Sequence, residues 1–156
     1  MWRVIVPGTP RDIPIGLRPD KICGVHVLSR PEGRNRAYFF LEADLGTMPV
    51  ERSTLRQTSI AKKIMGYSET YQQKLHATMY NWQSGFRVLF VTTSQERIDT
   101  MLKYVAKMTH ERTYRSVLFL FTDYATLTRQ NIFDVPWRRM RNGAEDRVTL
   151  LGEQGG

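Results

Sequence analysis

The stretch "FFLEADLGTMPVERSTLRQTSIAKK", residues 39–63, opens as an apolar strand, closes it with two carboxylates and then runs toward a helix that carries two lysines. Side chains alternate along a strand, so Glu42 and Asp44 share one face, as do Tyr38 and Phe40. An ionised carboxylate is costly to bury alone. Two of them at the end of a core strand therefore call for arginines, a hydrogen-bond network, water or a bound cation. Solvation or pairing with arginine is the structural reading. Magnesium is the functional one, because it takes hard oxygen ligands and is commonly held by one or two carboxylates, waters and substrate phosphates. Manganese shares that preference for oxygen. A third acid stands upstream in "RPDK", where Pro19-Asp20 reads either as a turn or as a partner that a neighbouring strand brings to Glu42.

Three segments read as buried strands: "RAYFFLEAD" (36–44), "FRVLFVTT" (86–93) and "SVLFLFTD" (116–123). Continuous apolar runs of this kind suit central strands covered on both faces. "WRVIV" (2–6) and "KICGVHVLS" (21–29) are weaker candidates, and Pro31, Gly33 and Asn35 predict a hairpin between the latter and the strand that ends at Glu42. A first helix has Thr54 and Gln57 at capping-box spacing and an apolar side made of Ala61, Ile64, Met65, Tyr71 and Leu75. A second has Thr93 and Glu96 at the same spacing, then Ile98, Met101, Leu102 and Val105. Strands and helices alternate in a mixed α/β layout, which predicts one domain over residues 1–150. "DVPWRRMRNGAEDR" (134–147) reads as loop with a short helix, and residues 151–156 as a flexible tail.

Composition narrows the function classes. Twenty-three Lys and Arg oppose fifteen Asp and Glu, a net charge of +8. That balance favours a polyanionic partner, nucleic acid before an acidic membrane surface, over a merely soluble basic protein. No run is long enough for a membrane span, so no membrane partner is expected. Cys23 is the single cysteine, so no internal disulfide can form, which suits a cytoplasmic location. His26, His76 and His110 are far apart and match no zinc spacing. "WRRMR" (137–141) is a second basic cluster, in which Trp137 reads as a lid over the core or as a stacking platform.

Pro19-Asp20, an apolar strand ending at Glu42 and a following helix with lysine together resemble the PD-(D/E)XK nuclease core. Asp44 occupies the place of that family's strand lysine, and Lys63 or Lys62 on the helix stands in for it. A narrower resemblance spans roughly residues 17 to 123. "LRPDKICGV", "FFLEADLGTM", "KIMGY", "FRVLFVTTSQER" and "FLFTD" together resemble the replication-relaxation family of plasmid and mobile-element proteins. Its helix pattern, a lysine with a tyrosine four residues on, is matched by Lys63 and Tyr67.

The resemblance implies an α/β fold with a restriction-endonuclease-like mixed sheet flanked by helices, and phosphodiester cleavage of DNA. Asp20 and Glu42 would bind magnesium or manganese, with Asp44 as a further ligand or a group behind them. Lys63 would complete the catalytic set. Arg18, Lys21, Arg52, Arg56, Lys62 and Tyr67 would contact DNA phosphates, although packing is the commoner fate of a tyrosine such as Tyr67. A separate DNA-recognition protein or domain is an expected partner. The alternative is a non-catalytic DNA-binding or assembly module that kept the fold. A homodimer formed through apolar strands such as "SVLFLFTDY" is a third expectation.

Overall fold

A computed structural model describes residues 1–8, 10–50 and 59–152. In chain order the elements are β1 (Trp2–Val6), β2 (Ile13–Leu17), β3 (Lys21–His26), β4 (Arg36–Ala43), α1 (Ile60–Gln72), α2 (Leu75–Tyr80), β5 (Phe86–Thr92), α3 (Gln95–Arg112), β6 (Phe119–Asp123), α4 (Tyr124–Arg129), β7 (Trp137–Arg141) and β8 (Ala144–Val148). A short 3-10 turn at Ser116–Leu118 precedes β6. The architecture is mixed α/β. One six-stranded sheet runs β3-β4-β5-β6-β7-β8, and β1 and β2 form a separate antiparallel ribbon.

The three apolar segments become the centre of the sheet. β4, β5 and β6 are parallel neighbours, joined through α1 and α2 and then through α3, since a parallel pair needs a crossover that a tight turn cannot supply. Alternation divides their side chains between two cores. Phe40, Phe90 and Phe121 pack toward α1 and α3. Phe39, Leu89 and Leu120 face the opposite side, where Trp137 is fully buried with them. Trp137 is thus a core residue. The predicted hairpin is present as the antiparallel β3–β4 pair, with Lys21 opposite Leu41.

The helices begin at different residues from those the capping-box spacings predict. Ser59 caps α1 by accepting from the Lys62 N–H at 3.1 Å, while Thr54 and Gln57 lie outside the described residues. In α3 the cap is Ser94, one residue beyond Thr93, and its hydroxyl accepts from the Arg97 N–H. The predicted apolar stripe of α3 holds: Ile98, Met101, Leu102 and Val105 are all buried. The helix expected to reach Leu75 is split, because Lys74 adopts a left-handed backbone (φ 55°) between α1 and α2.

Two stretches without strand signals also form strands. β2 is five residues long and contains Pro14 and Gly16, yet with β1 it covers α1. Trp2, Val4, Val6, Ile15 and Leu17 turn inward, and the Trp2 indole N–H donates to Thr70 Oγ1 at 2.9 Å. The approach is close enough to require Gly66 on α1, where an added Cβ would stand 3.0 Å from a Leu17 methyl and 3.1 Å from an Ile15 methyl. Gly66→Val should therefore lower unfolding free energy by about 1–3 kcal/mol, the usual range for overpacking. A shift of the urea midpoint at unchanged slope would show it.

The other such stretch is 134–147, where β7 and β8 form a hairpin around Asn142-Gly143. The "SVLFLFTDY" segment is consequently interior, with β5 on one side of β6 and β7 on the other. It has no open edge to offer a second copy. Among the described residues no helix is long and apolar enough to cross a membrane.

Candidate active site

The C-terminal ends of β4, β5 and β6 gather the acids of interest. Asp20 sits immediately before β3, one step beyond the Lys21–Leu41 pair. Its N–H donates to the Leu41 carbonyl at 3.0 Å and its Oδ2 accepts from the Ala43 N–H at 2.8 Å, so its backbone and side chain bracket Glu42. Asp20 is exposed, whereas Glu42 is only 1% exposed. The hairpin thus brings together two acids that lie far apart in sequence.

Glu42 points with Phe40 toward α1. Lys63, in the first turn of that helix, donates from its amine to Glu42 Oε2. Tyr67, one turn later, donates from its hydroxyl to Oε1 at 2.5 Å. Residues four apart share a helix face, which is why both reach one carboxylate. Burial drives the Glu42 pKa up. The Lys63 charge and the two hydrogen bonds oppose that without cancelling it, and the Asp20 charge adds to the rise.

Tyr67 is fully buried, so it does not lie on a surface that DNA could touch. Burial and then the Glu42 charge push its hydroxyl far above the ordinary value, and it stays a protonated donor. Its role in this geometry is to hold Oε1.

Asp44 is differently employed. Arg97, in the first turn of α3, clasps it with two nitrogens, Nε to Oδ2 and Nη2 to Oδ1 (2.9 Å), and reaches the Met48 carbonyl as well. Thr92 at the end of β5 donates to Oδ2 at 2.6 Å. Burial alone would raise the Asp44 carboxyl, but the bonds from Arg97 and Thr92 outweigh it and hold the group below its usual value. Both oxygens of Asp44 are thus committed to the protein, and the structure makes it a tie between β4 and α3. Among the described residues no group of three His, Cys, Asp or Glu side chains is arranged to hold a metal ion. Glu42 has both of its oxygens engaged as well, Oε2 by Lys63 and Oε1 by Tyr67.

Arg18 and Lys21 are exposed on either side of Asp20, and Lys62 is half-buried beside Lys63. Arg52 and Arg56 lie outside the described residues. Two site residues carry no distinctive signal in the sequence. Arg97 neutralises Asp44. Tyr124, just after β6, has its hydroxyl pKa raised by burial and then by the charges of Asp44 and Asp20. Asp123 at the end of β6 caps α4 through the Thr126 N–H (2.6 Å) and accepts from Gln95 (2.6 Å). Against family models, curated proteins and solved structures the chain shows no match.

Proposed function

We propose that this protein is a metal-dependent phosphodiesterase acting on DNA, built on a PD-(D/E)XK-like core and used in plasmid or mobile-element replication. The observation that carries the reading is the contact of the Lys63 amine with Glu42, the carboxylate that Asp20 flanks. A helix-borne lysine thereby reaches the acid pair even though Asp44 stands in the strand position of the missing lysine. The resemblance of residues 17 to 123 to replication-relaxation proteins supplies the biological setting.

Asp20 and Glu42 would hold magnesium or manganese. The chemistry such an ion would supply when held by them is a lowered pKa for a bound water, and so hydroxide near neutral pH. Lys63 brings a positive charge to where negative charge develops on the reacting phosphoryl group, a contribution commonly worth 10²–10³ in rate. Tyr67 fixes the Glu42 carboxylate through Oε1. Arg18 and Lys21, exposed beside Asp20, engage phosphates and position DNA without reading its bases.

The test is conversion of supercoiled plasmid to nicked or linear forms in magnesium or manganese. Asp20→Asn and Lys63→Met should each slow the native rate by about 10²–10³, and EDTA should abolish it. A second reading has its own observation, the locking of Asp44 to Arg97, which removes one acid from any metal site. If the native protein binds DNA but converts none with either metal, the chain is a non-catalytic DNA-binding or assembly module.

A further inference from the structure

The end of the sheet opposite the acids carries the reverse charge. A groove of about 1030 Å³ wraps the N-terminal ends of β4 and β5 and the C-terminal end of β7. Arginines line it from five places: Arg34 in the β3–β4 turn, Arg36 opening β4, Arg87 on β5, Arg115 before the 3-10 turn and Arg141 closing β7. No acidic side chain is among its lining residues. Asp146, which does not line the groove, pairs with two arginines that do, 2.7 Å from Arg139 and 4.0 Å from Arg141.

Several of these guanidinium groups are held in place. Arg87 donates from Nη1 to the Val117 carbonyl at 2.7 Å. The Arg115 guanidinium lies over the Tyr71 ring, 5.3 Å from its centroid, and its Nη1 is 3.3 Å from the Tyr71 hydroxyl. Tyr38, half-buried on the lining, stacks on Trp82 with centroids 4.5 Å apart and planes 7° from parallel. Along β4 the six steps from Arg36 to Glu42 span roughly 20 Å. The groove is therefore separate from the carboxylate site.

We infer that this groove binds the phosphodiester backbone of single-stranded nucleic acid. The net charge of +8 is not spread evenly. At the acid end Lys63 and Arg97 are paired with Glu42 and Asp44 and Arg18 and Lys21 flank Asp20, whereas the groove is lined by arginines with no acid among them, so it attracts a polyanion. Fork-shaped guanidinium donors match phosphate oxygens. Tyr71 is already occupied, stacked on His76 and covered by Arg115, but Tyr38, half-buried with Trp82 on one face, offers a ring beside them for an unpaired base, the combination that single-strand binders use. A base pair inside a duplex would keep its faces from that ring. This inference goes beyond the cleavage reading and does not depend on it.

The experiment measures anisotropy of fluorescein-labelled oligothymidylate in EDTA across a salt series, so the presence or absence of cleavage has no bearing on the outcome. Arg34, Arg36 and Arg115 are all exposed, and replacing the three with alanine should leave the thermal transition in place. The triple alanine variant should bind at least about tenfold more weakly, with its log–log salt slope flatter by about 2. The triple lysine variant should keep the native slope. Native affinity and slope in the alanine variant would overturn the inference. So would a duplex bound as tightly through the same three arginines, or displacement of the oligonucleotide by an equimolar amount of inorganic triphosphate, which would make the groove a small-anion pocket.

Discussion

Arg97→Met should lower the unfolding free energy by about 3–5 kcal/mol, the usual consequence of leaving one member of a buried ion pair without its partner. Asp44 is 5% exposed, and without Arg97 its carboxylate would keep only the Thr92 hydroxyl and backbone donors inside the protein. The converse substitution is milder. Asp44→Asn retains the shape and an acceptor oxygen, and Arg97, with a side chain 16% exposed, keeps the Met48 carbonyl and can turn toward water. A loss of about 1–3 kcal/mol is expected there. Arg97 also secures more than the pair. Through Met48 it fixes the chain just before Pro49 and Val50, whose carbonyls accept from the Ile60 and Ala61 N–H groups at the start of α1. Losing it therefore loosens the helix that carries Lys63. Urea midpoints of the two variants decide the matter. If Asp44→Asn proves the more damaging, the carboxylate does something beyond receiving Arg97. The folded fraction of Asp44→Asn should still cleave DNA in magnesium, because Asp44 is a structural tie in this geometry.

How much of this could be read from the sequence follows from what covers each element. β4, β5 and β6 are buried on both faces, so their apolar runs are unbroken and plain. β2 carries Pro14 and Gly16, residues that weaken a strand pattern. Pairing only with β1 in the small ribbon tolerates them. β7 conceals itself more thoroughly. Arg138 and Arg139 are buried at positions where apolar residues are expected. Arg138 reaches Gln95 Oε1 at 2.8 Å, Asp99 Oδ1 at 2.5 Å and Glu145 at 2.6 Å, while Arg139 pairs with Asp146. Two of those partners lie on α3, and nothing local announces them. The readable signal is the Asn142-Gly143 pair, whose positive φ values of 51° and 81° suit the tight turn of a two-residue hairpin.

The site divides in the same way. Asp20 meets Glu42 because hairpin register is a local property, and Lys63 meets it because α1 follows β4 directly. Arg97 stands 53 residues from Asp44, and only the packing of α3 selects it from the many arginines of the chain. Resemblance by motif order could suggest that Asp44 binds metal. It could not reveal that the carboxylate is already satisfied.

Glu42→Gln should reduce metal-dependent cleavage by about 10³, at the upper end of what a single group that stabilises transition-state charge contributes, and yet leave the metal-free fold at least as stable as the native one at neutral pH. The two halves rest on one fact. Glu42 is buried, and its pKa is raised because burial outweighs what Lys63 and Tyr67 supply. A carboxyl whose pKa is raised on folding binds its proton more tightly in the folded state than in the unfolded one. Its contribution to stability is fully present below the unfolded value, 4.5, and is lost as pH rises through the raised folded value. Glutamine has no such loss. It keeps an oxygen for the Tyr67 hydroxyl, and the Lys63 side chain, 21% exposed, can recover water. Melting temperatures in EDTA should therefore nearly coincide for variant and native protein at pH 4 and separate in favour of the variant toward pH 8. A residue that destabilises its own fold is retained where function needs it. A variant that is inactive and less stable at every pH would instead make Glu42 a structural partner of Lys63 and Tyr67. A variant that still cleaves at the native rate would remove Glu42 from the reaction altogether.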